Sequence, residues 1–91
     1  MNKPYHVINT EKLALTDTPA EILSLGTAVR LFGDRSFHFA VGGSPATSND
    51  TPTSADHPEY ISGGAKSDKL TFVKAAGETD GSVWVSFIQF S

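Results

Sequence analysis

Apolar and polar side chains alternate with a period of two through residues 26–43, which is typical of strands with one face in a sheet. Residues 29–32 precede a Gly-Asp-Arg-Ser turn at 33–36, and an aromatic alternating segment follows at 37–41. Gly and Asp favour the backbone conformations of a tight turn. The stretch therefore predicts two strands joined as a β-hairpin.

The same alternation recurs in short segments along the chain, each ending at turn-forming residues. Further strands are predicted at residues 5–9, 11–15, 20–25, 59–62, 68–75 and 82–91, with a hairpin loop at 77–81. Residues 11–15 and 20–25 are also compatible with a helical turn, although strands fit better. Turn signals about every 8–12 residues are typical of sandwiches and barrels. We therefore predict an all-β fold, a small antiparallel β-sandwich (jelly-roll-like) or barrel, with about seven or eight short strands and no sizeable helix.

The 91 residues are predicted to form a single β domain with two polar or extended appendages. Residues 1–10 are interpreted as an extended N-terminal arm. Residues 42–58 are rich in Pro, Ser, Thr and Gly and contain no large apolar side chain, which predicts a long surface loop. A loop of this length is typically functional or mobile.

The last predicted strand differs from the others because both of its faces are apolar. One side presents Val83, Val85 and Phe87, and the other presents Trp84, Ile88 and Phe90. A strand with two apolar faces is expected to be covered on both. The second face could be covered by the long loop or an N-terminal strand of the same chain, or by another sheet, a partner subunit or a large assembly.

Composition narrows the classes of partner. The net charge is −3 and the seven basic residues form no cluster, which argues against nucleic acid and against a membrane surface as partners. The absence of cysteine excludes disulfides and thiolate metal sites. The N-terminal sequence has no apolar run typical of a signal peptide, so we expect synthesis in the cytoplasm.

No segment carries a convincing catalytic or metal-binding pattern. Gly63–Ser67 in sequence, Gly-Gly-Ala-Lys-Ser, differs from a phosphate-binding loop because a strand follows it. Possible oxygen and imidazole ligands near the long loop lack calcium spacing, and these are Asn49, Asp50, Asp56, His57 and Glu59. The three histidines are scattered, and Ser44 is not in a nucleophile elbow. We therefore predict a protein that is not an enzyme and has no cofactor or metal.

Several short motifs resemble those of a group of small tail-encoded and capsid-associated bacteriophage proteins. The matching segments are Ala-Val-Arg at 28–30, Asp-Arg at 34–35, the aromatic strand at 37–41, Gly-Gly-Ser-Pro-Ala-Thr at 42–47, residues 60–64 and the final alternating strand at 83–87. The resemblance covers about two-thirds of the chain, and it implies a β-sandwich virion protein present in many copies, without catalytic residues. The aromatic C-terminal strand departs from the pattern, so the resemblance does not define the partner surface.

The resulting hypothesis is a capsid decoration (cement) protein at the virion surface that binds the major capsid protein and stabilises the shell. We expect it to associate with itself, as a trimer, because small cores are often supplemented by oligomerisation. The residues expected at interfaces are Trp84, Phe87, Ile88, Phe90 and Tyr60, and for the first four a place in the core is the alternative. A neck, tail or fibre-attachment component of the same particle is the first alternative. A carbohydrate-binding β-sandwich, with Trp84 and Tyr60 as its aromatic platform, is the alternative of another class.

Overall fold

The computed structural model describes the backbone of residues 5–90 and the side chains of residues 6–89. Within this range the chain forms eight strands and no helix. The strands are β1 Tyr5–Leu15, β2 Ala20–Leu23, β3 Ala28–Gly33, β4 Phe37–Gly42, β5 Thr51–Thr53, β6 Glu59–Ser62, β7 Lys69–Lys74 and β8 Gly81–Phe90.

The strands form two four-stranded antiparallel sheets. Sheet A has the order β1-β8-β3-β6, and sheet B has the order β2-β7-β4-β5. The first half of the chain pairs with the second half in nested fashion, as β1 with β8, β2 with β7, β3 with β6 and β4 with β5. Two further pairings, β3 with β8 and β4 with β7, complete the sheets. This nested arrangement is that of an eight-stranded jelly roll, so the predicted all-β sandwich is confirmed.

The strands predicted as a central hairpin are both present, but they do not pair with each other. β3 lies in sheet A and β4 lies in sheet B, so the connection between them turns a corner of the sandwich. The Asp34 carboxylate accepts the Ser82 backbone N–H at 2.8 Å, and this bond holds the corner against β8. The predicted hairpin loop at 77–81 likewise joins β7 of sheet B to β8 of sheet A. Gly and Asp specify a tight change of direction, but they do not specify which strands pair, and both hairpin predictions are wrong for this reason.

The hydrophobic core lies between the inner faces of the two sheets. In β3 the buried Val29 and Leu31 alternate with the half-buried Arg30 and Phe32. The rings of Phe37 and Phe72 are in contact on the inner face of sheet B, with centroids 6.1 Å apart and an interplanar angle of 62°. The buried core residues are Leu15, Val29, Leu31, Phe37, Phe39, Leu70, Phe72, Val83, Val85 and Phe87.

The predicted N-terminal arm overlaps a regular strand. β1 starts at Tyr5 and pairs with β8 from Tyr5–Phe90 to Leu15–Gly81, with an irregularity between Val7 and Asn9. Residues 5–10 are therefore part of sheet A rather than an arm, because the long last strand offers them a complete hydrogen-bonding edge. Residues 1–4 of the predicted arm lie outside the described residues.

The predicted polar loop at 42–58 is interrupted by strand β5 and is anchored to sheet B. β5 pairs with β4, which needs backbone hydrogen bonds but no large apolar side chains. Thr71 donates its hydroxyl to the Ser44 carbonyl at 3.3 Å, and His38 Nδ1 lies 3.1 Å from the Asp50 carbonyl oxygen. The first half of the predicted loop therefore lies over the outer face of sheet B, and Ala46 is buried there.

Lys74 is the last residue of β7, and its ammonium lies between two carboxylates. This arrangement predicts that the thermal stability of the domain depends on pH in the alkaline range. The ammonium lies 2.8 Å from Asp80 and 3.5 Å from Asp17, and the hydrogen bond to Asp80 is the main cause that raises the pKa of Lys74 above 10.5. Because the pKa of Lys74 is higher in the folded state than in the unfolded state, its charge interaction stabilises the fold fully at pH values below the unfolded-state pKa. This stabilisation is lost as the pH rises through the folded-state pKa. Lys74→Met should therefore lower the Tm at neutral pH, and the deficit should shrink above pH 10.5.

Thermal unfolding followed by circular dichroism from neutral to strongly alkaline pH would measure this difference. Lys69→Met is the matched control, because its ion pair with Glu21 is longer, at 3.8 Å, and exposed. A Tm deficit for Lys74→Met that stays constant across the alkaline range would contradict the assigned charge interaction.

Candidate functional site

The most distinctive surface is the outer face of sheet A, where aromatic and cationic side chains lie in adjacent rows across the strands. Because Val83, Val85 and Phe87 point into the core, the alternate residues of β8 point outward. The strand register places the outward residues in two cross-strand rows. The first row is Lys12, Trp84 and Phe32, and the second is Thr10, Ser86, Arg30 and Tyr60. We call these seven residues the aromatic patch.

The aromatic patch contains a shallow depression. Its volume is about 400 Å³, and it is lined by Thr10, Arg30, Phe32, Trp84 and Ser86. The rings of Phe32 and Trp84 are tilted by 56° with centroids 6.3 Å apart, so they form two walls at an angle rather than a flat platform. The Thr10 and Ser86 hydroxyls lie 3.0 Å apart and make the base polar.

Two cations lie over the aromatic rings. Lys12 Nζ is 5.4 Å from the centre of the Trp84 ring, and Arg30 Cζ is 5.6 Å from the centre of the Phe32 ring. Arg30 also donates from Nε to the Tyr60 hydroxyl at 3.3 Å. Contacts of a cation with the face of a ring are favourable by about 0.5–1 kcal/mol when exposed, so they bias the positions of both cations.

No carboxylate occupies these rows or the next row, Val7-Ile88-Ala28-Ser62, among the described residues. Glu11 points to the opposite side of β1 from Lys12 and accepts a hydrogen bond from the Asn9 amide at 2.8 Å. Asp34, at the corner beyond β3, is bonded to the Ser82 backbone. The patch is therefore locally positive on a chain whose net charge is −3.

Two of the residues expected at an interface lie in the aromatic patch. Trp84 is half-buried at the depression, and Tyr60 is 51% exposed on the edge strand β6. Phe87 is a core residue with 1% exposure, so its expected place in the core is confirmed and its expected contact with a partner is corrected. Ile88 points to the outer side but has 0% exposure, and it offers no surface to a partner either. The side chain of Phe90 lies outside the described residues.

Five residues of the patch are not predicted at an interface by the sequence, and these are Thr10, Lys12, Arg30, Phe32 and Ser86. The sequence pattern gives no separate signal for Phe32, Lys12 or Arg30 as surface residues of one site. The alternation in β3 does place Arg30 and Phe32 opposite the buried Val29 and Leu31, so part of the signal was present. The neighbouring position of Lys12 follows only from the pairing of β1 with β8, which the sequence pattern did not reveal.

The possible ligand residues near residues 42–58 do not gather into a metal site. Within the part of the chain that the structure describes, no group of three His, Cys, Asp or Glu side chains could hold a metal ion. Asp50 instead caps a local turn, where it accepts the Thr47 backbone N–H at 2.7 Å. The same described range contains no helix that is long and apolar enough to cross a membrane.

The fold and the patch define a small jelly-roll domain with one accessible aromatic and cationic face. Comparison of the chain with protein-family models, with curated proteins and with solved structures finds no match. The proposed function therefore rests on the residues of this chain, above all on the aromatic patch.

Proposed function

We propose that this chain is a virion structural protein of the capsid decoration type, which docks on the outside of the shell through the aromatic patch. The observation that carries the proposal is the position of Trp84, Phe32 and Tyr60 on one accessible sheet face. Aromatic residues and Arg are enriched at protein interfaces and often dominate their energy. The resemblance to small phage proteins supports the virion context, and sheet B is partly covered by residues 44–50 of the same chain.

The mechanism of stabilisation would be mass action. A chain that binds only the assembled shell stabilises that shell by RT ln(1 + [L]/Kd), which is about 2.7 kcal/mol per site at a concentration of 100 Kd. Many copies, associated with themselves as trimers across junctions between shell subunits, would add such a contribution at each junction. In the neck, tail or fibre-attachment alternative, the chain would dock through the same aromatic patch but would be present in only a few copies per particle.

Removal of the Trp84 side chain should weaken binding to the shell by about tenfold or more, because central aromatic residues commonly contribute the largest losses on truncation. The measurement is co-sedimentation with purified shells and the melting temperature of the decorated shell. Leu23→Ala is the matched control, since Leu23 is 56% exposed but lies on the edge of sheet B. A folded Trp84→Ala protein that binds and stabilises shells as the wild type does would contradict the assigned docking face.

Copy number separates the two virion roles. Quantitative mass spectrometry of gradient-purified particles would give the ratio of this chain to the major shell protein. A ratio near one supports decoration, whereas a few copies per particle support the neck or tail. Complete absence from particles would remove the virion proposal.

A carbohydrate-binding role is the second candidate, and the depression is the observation that favours it. Sugar rings commonly need an aromatic wall and nearby hydroxyl groups, and Trp84, Phe32, Thr10 and Ser86 provide both. A glycan array would test it, with loss of signal in Trp84→Ala as the supporting result. The tilt of 56° between the two rings and the ammonium of Lys12 over Trp84 make a flat stacked sugar less favourable than an interface.

A further inference from the structure

The charges of the aromatic patch differ in sign from those of the molecule as a whole. Lys12 and Arg30 are its charged residues, and no described residue in its rows is acidic. The complete chain has ten acidic and seven basic residues, for a net charge of −3. A partner that recognises the patch by charge complementarity would therefore be acidic, and the net negative charge of the whole chain would not attract it elsewhere.

The two cations are oriented by contacts that leave donor groups available. Arg30 carries five N–H donors, and among the described residues its guanidinium donates a hydrogen bond only through Nε, to Tyr60. Lys12 makes a ring contact with Trp84 and is exposed. Among residues 6–89 neither cation forms an ion pair with a carboxylate, so both groups are available to a carboxylate of a partner.

The spacing of the cations matches an extended segment. Lys12 lies on β1 and Arg30 lies on β3, on either side of β8. Neighbouring strands are about 4.8 Å apart, so these two backbones are about 10 Å apart. Lys12 and Arg30 are also offset by one row along the strands, which makes their diagonal separation about 12 Å. An extended segment rises about 3.3 Å per residue and turns every second side chain to the same face, so acidic residues four apart are separated by about 13 Å with one side chain between them on that face. The Trp84 ring and the depression lie between the two cations and fit an apolar side chain.

We infer that the aromatic patch binds an acidic peptide segment of a protein partner, with carboxylates at Lys12 and Arg30 and an apolar side chain between Phe32 and Trp84. The inference rests on the proposed function in taking this face as the docking surface, and it adds the chemistry of the partner. A neutral sugar stacked on Trp84 would have to displace the Lys12 ammonium, whereas an acidic segment would bind to it. Charge-assisted hydrogen bonds of this kind are stronger than neutral ones.

The single tryptophan of the chain provides a direct reporter, because Trp84 lies within the patch. A short synthetic peptide of sequence Glu-Ser-Phe-Ser-Glu, which turns both carboxylates and the ring to one face when extended, would be titrated into the 91-residue protein while Trp84 emission is recorded. The same peptide with Gln in place of each Glu is the reference. The Glu peptide should change the emission, bind at least about tenfold more tightly than the Gln peptide, and lose affinity as the salt concentration rises from about 0.05 M to about 0.5 M.

Charge variants test the two cations. The double variant Lys12→Gln/Arg30→Gln should lose about tenfold or more in affinity for the Glu peptide. The control double variant Lys66→Gln/Lys69→Gln removes the same two charges outside the patch and should bind as the wild type does. Lys12→Arg/Arg30→Lys keeps both charges and should retain most of the binding. Melting temperatures of all variants would show that each is folded.

Several results would overturn the inference. These are an absent response to the Glu peptide, equal binding of the Gln peptide, an equal loss in the control double variant, or a response confined to acidic oligosaccharides or to DNA. Shell binding separates this inference from the proposed function. If the Glu peptide binds but shells do not, the acidic-segment inference holds and decoration fails. If shells bind Lys12→Gln/Arg30→Gln as well as the wild type, decoration holds and the acidic-segment inference fails.

Discussion

Phe72→Ala is expected to destabilise the domain by about 3–5 kcal/mol, which is most of the stability of an ordinary small domain. Phe72 is 1% exposed on a central strand of sheet B, and its ring lies at a steep angle to that of Phe37, with a centroid distance of 6.1 Å. Truncation removes the transfer energy of the ring and leaves a cavity that the two rigid sheets cannot close. We expect Phe72→Ala to be largely unfolded or to melt far below the wild type.

Urea unfolding followed by circular dichroism would measure the loss. Phe32→Ala is the matched control, since it removes the same atoms from a half-buried position on the outer face of sheet A. Its cost should be clearly smaller, because the residue already contacts solvent and leaves no closed cavity. Equal losses for the two variants would contradict the assignment of Phe72 to the core and Phe32 to the surface.

The strands were predictable because burial follows the alternation directly. In β3 the pattern of buried and half-buried positions is regular, and Val29 and Leu31 are inside as the alternation predicts. In β7 the alternation does not predict burial correctly. Thr71 points to the outer face of sheet B, opposite to Leu70 and Phe72, but it is buried beneath residues 44–50. The alternation by itself gives no sign that another part of the chain covers this outer position, and only the fold reveals it.

Strand pairing was not predictable, because turn residues report a local change of direction and not the partner of a strand. The Asp34 corner shows the difference, since its carboxylate bonds to Ser82, 48 residues further along the chain. Asp-Gly at 80–81 has the composition of a hairpin turn, yet it lies where the chain passes from sheet B to sheet A. In a jelly roll most consecutive strands are in different sheets. Turn residues therefore predict where the chain changes direction but not which strands pair.

The candidate site was predictable in its aromatic residues and not in its charges. The two-faced pattern of β8 singles out Trp84, and the short strand at 59–62 presents Tyr60. Arg30 and Lys12 join them only because β3 and β1 flank β8 in sheet A, with Arg30 opposite both Ser86 and Tyr60. Since those pairings link residues far apart in sequence, the cationic character of the patch follows from topology.

Gly63→Ala is expected to destabilise the domain by about 1–3 kcal/mol or more, although it adds only one methyl group. Gly63 is buried directly after β6, and its N–H donates to the Thr27 carbonyl at 3.1 Å. A Cβ at this position would overlap the Thr27 carbonyl oxygen and would lie 3.0 Å from Ser24 Oγ. The obstacle is backbone, so β6 must shift away from β3 to relieve the overlap.

The shift should also affect the aromatic patch, because Tyr60 on β6 accepts the hydrogen bond from Arg30. Gly63→Ala is therefore expected to weaken both folding and docking, measured by urea unfolding and by Trp84 emission with the Glu peptide. Gly43→Ala is the control, since a Cβ there meets nothing within 4 Å, and its effect on stability should stay within about 0.5 kcal/mol. If Gly63→Ala is as stable as Gly43→Ala, the close approach of β6 to the Thr27 backbone is not a constraint on this fold. If stability falls while peptide binding is unchanged, Tyr60 does not position Arg30 for docking.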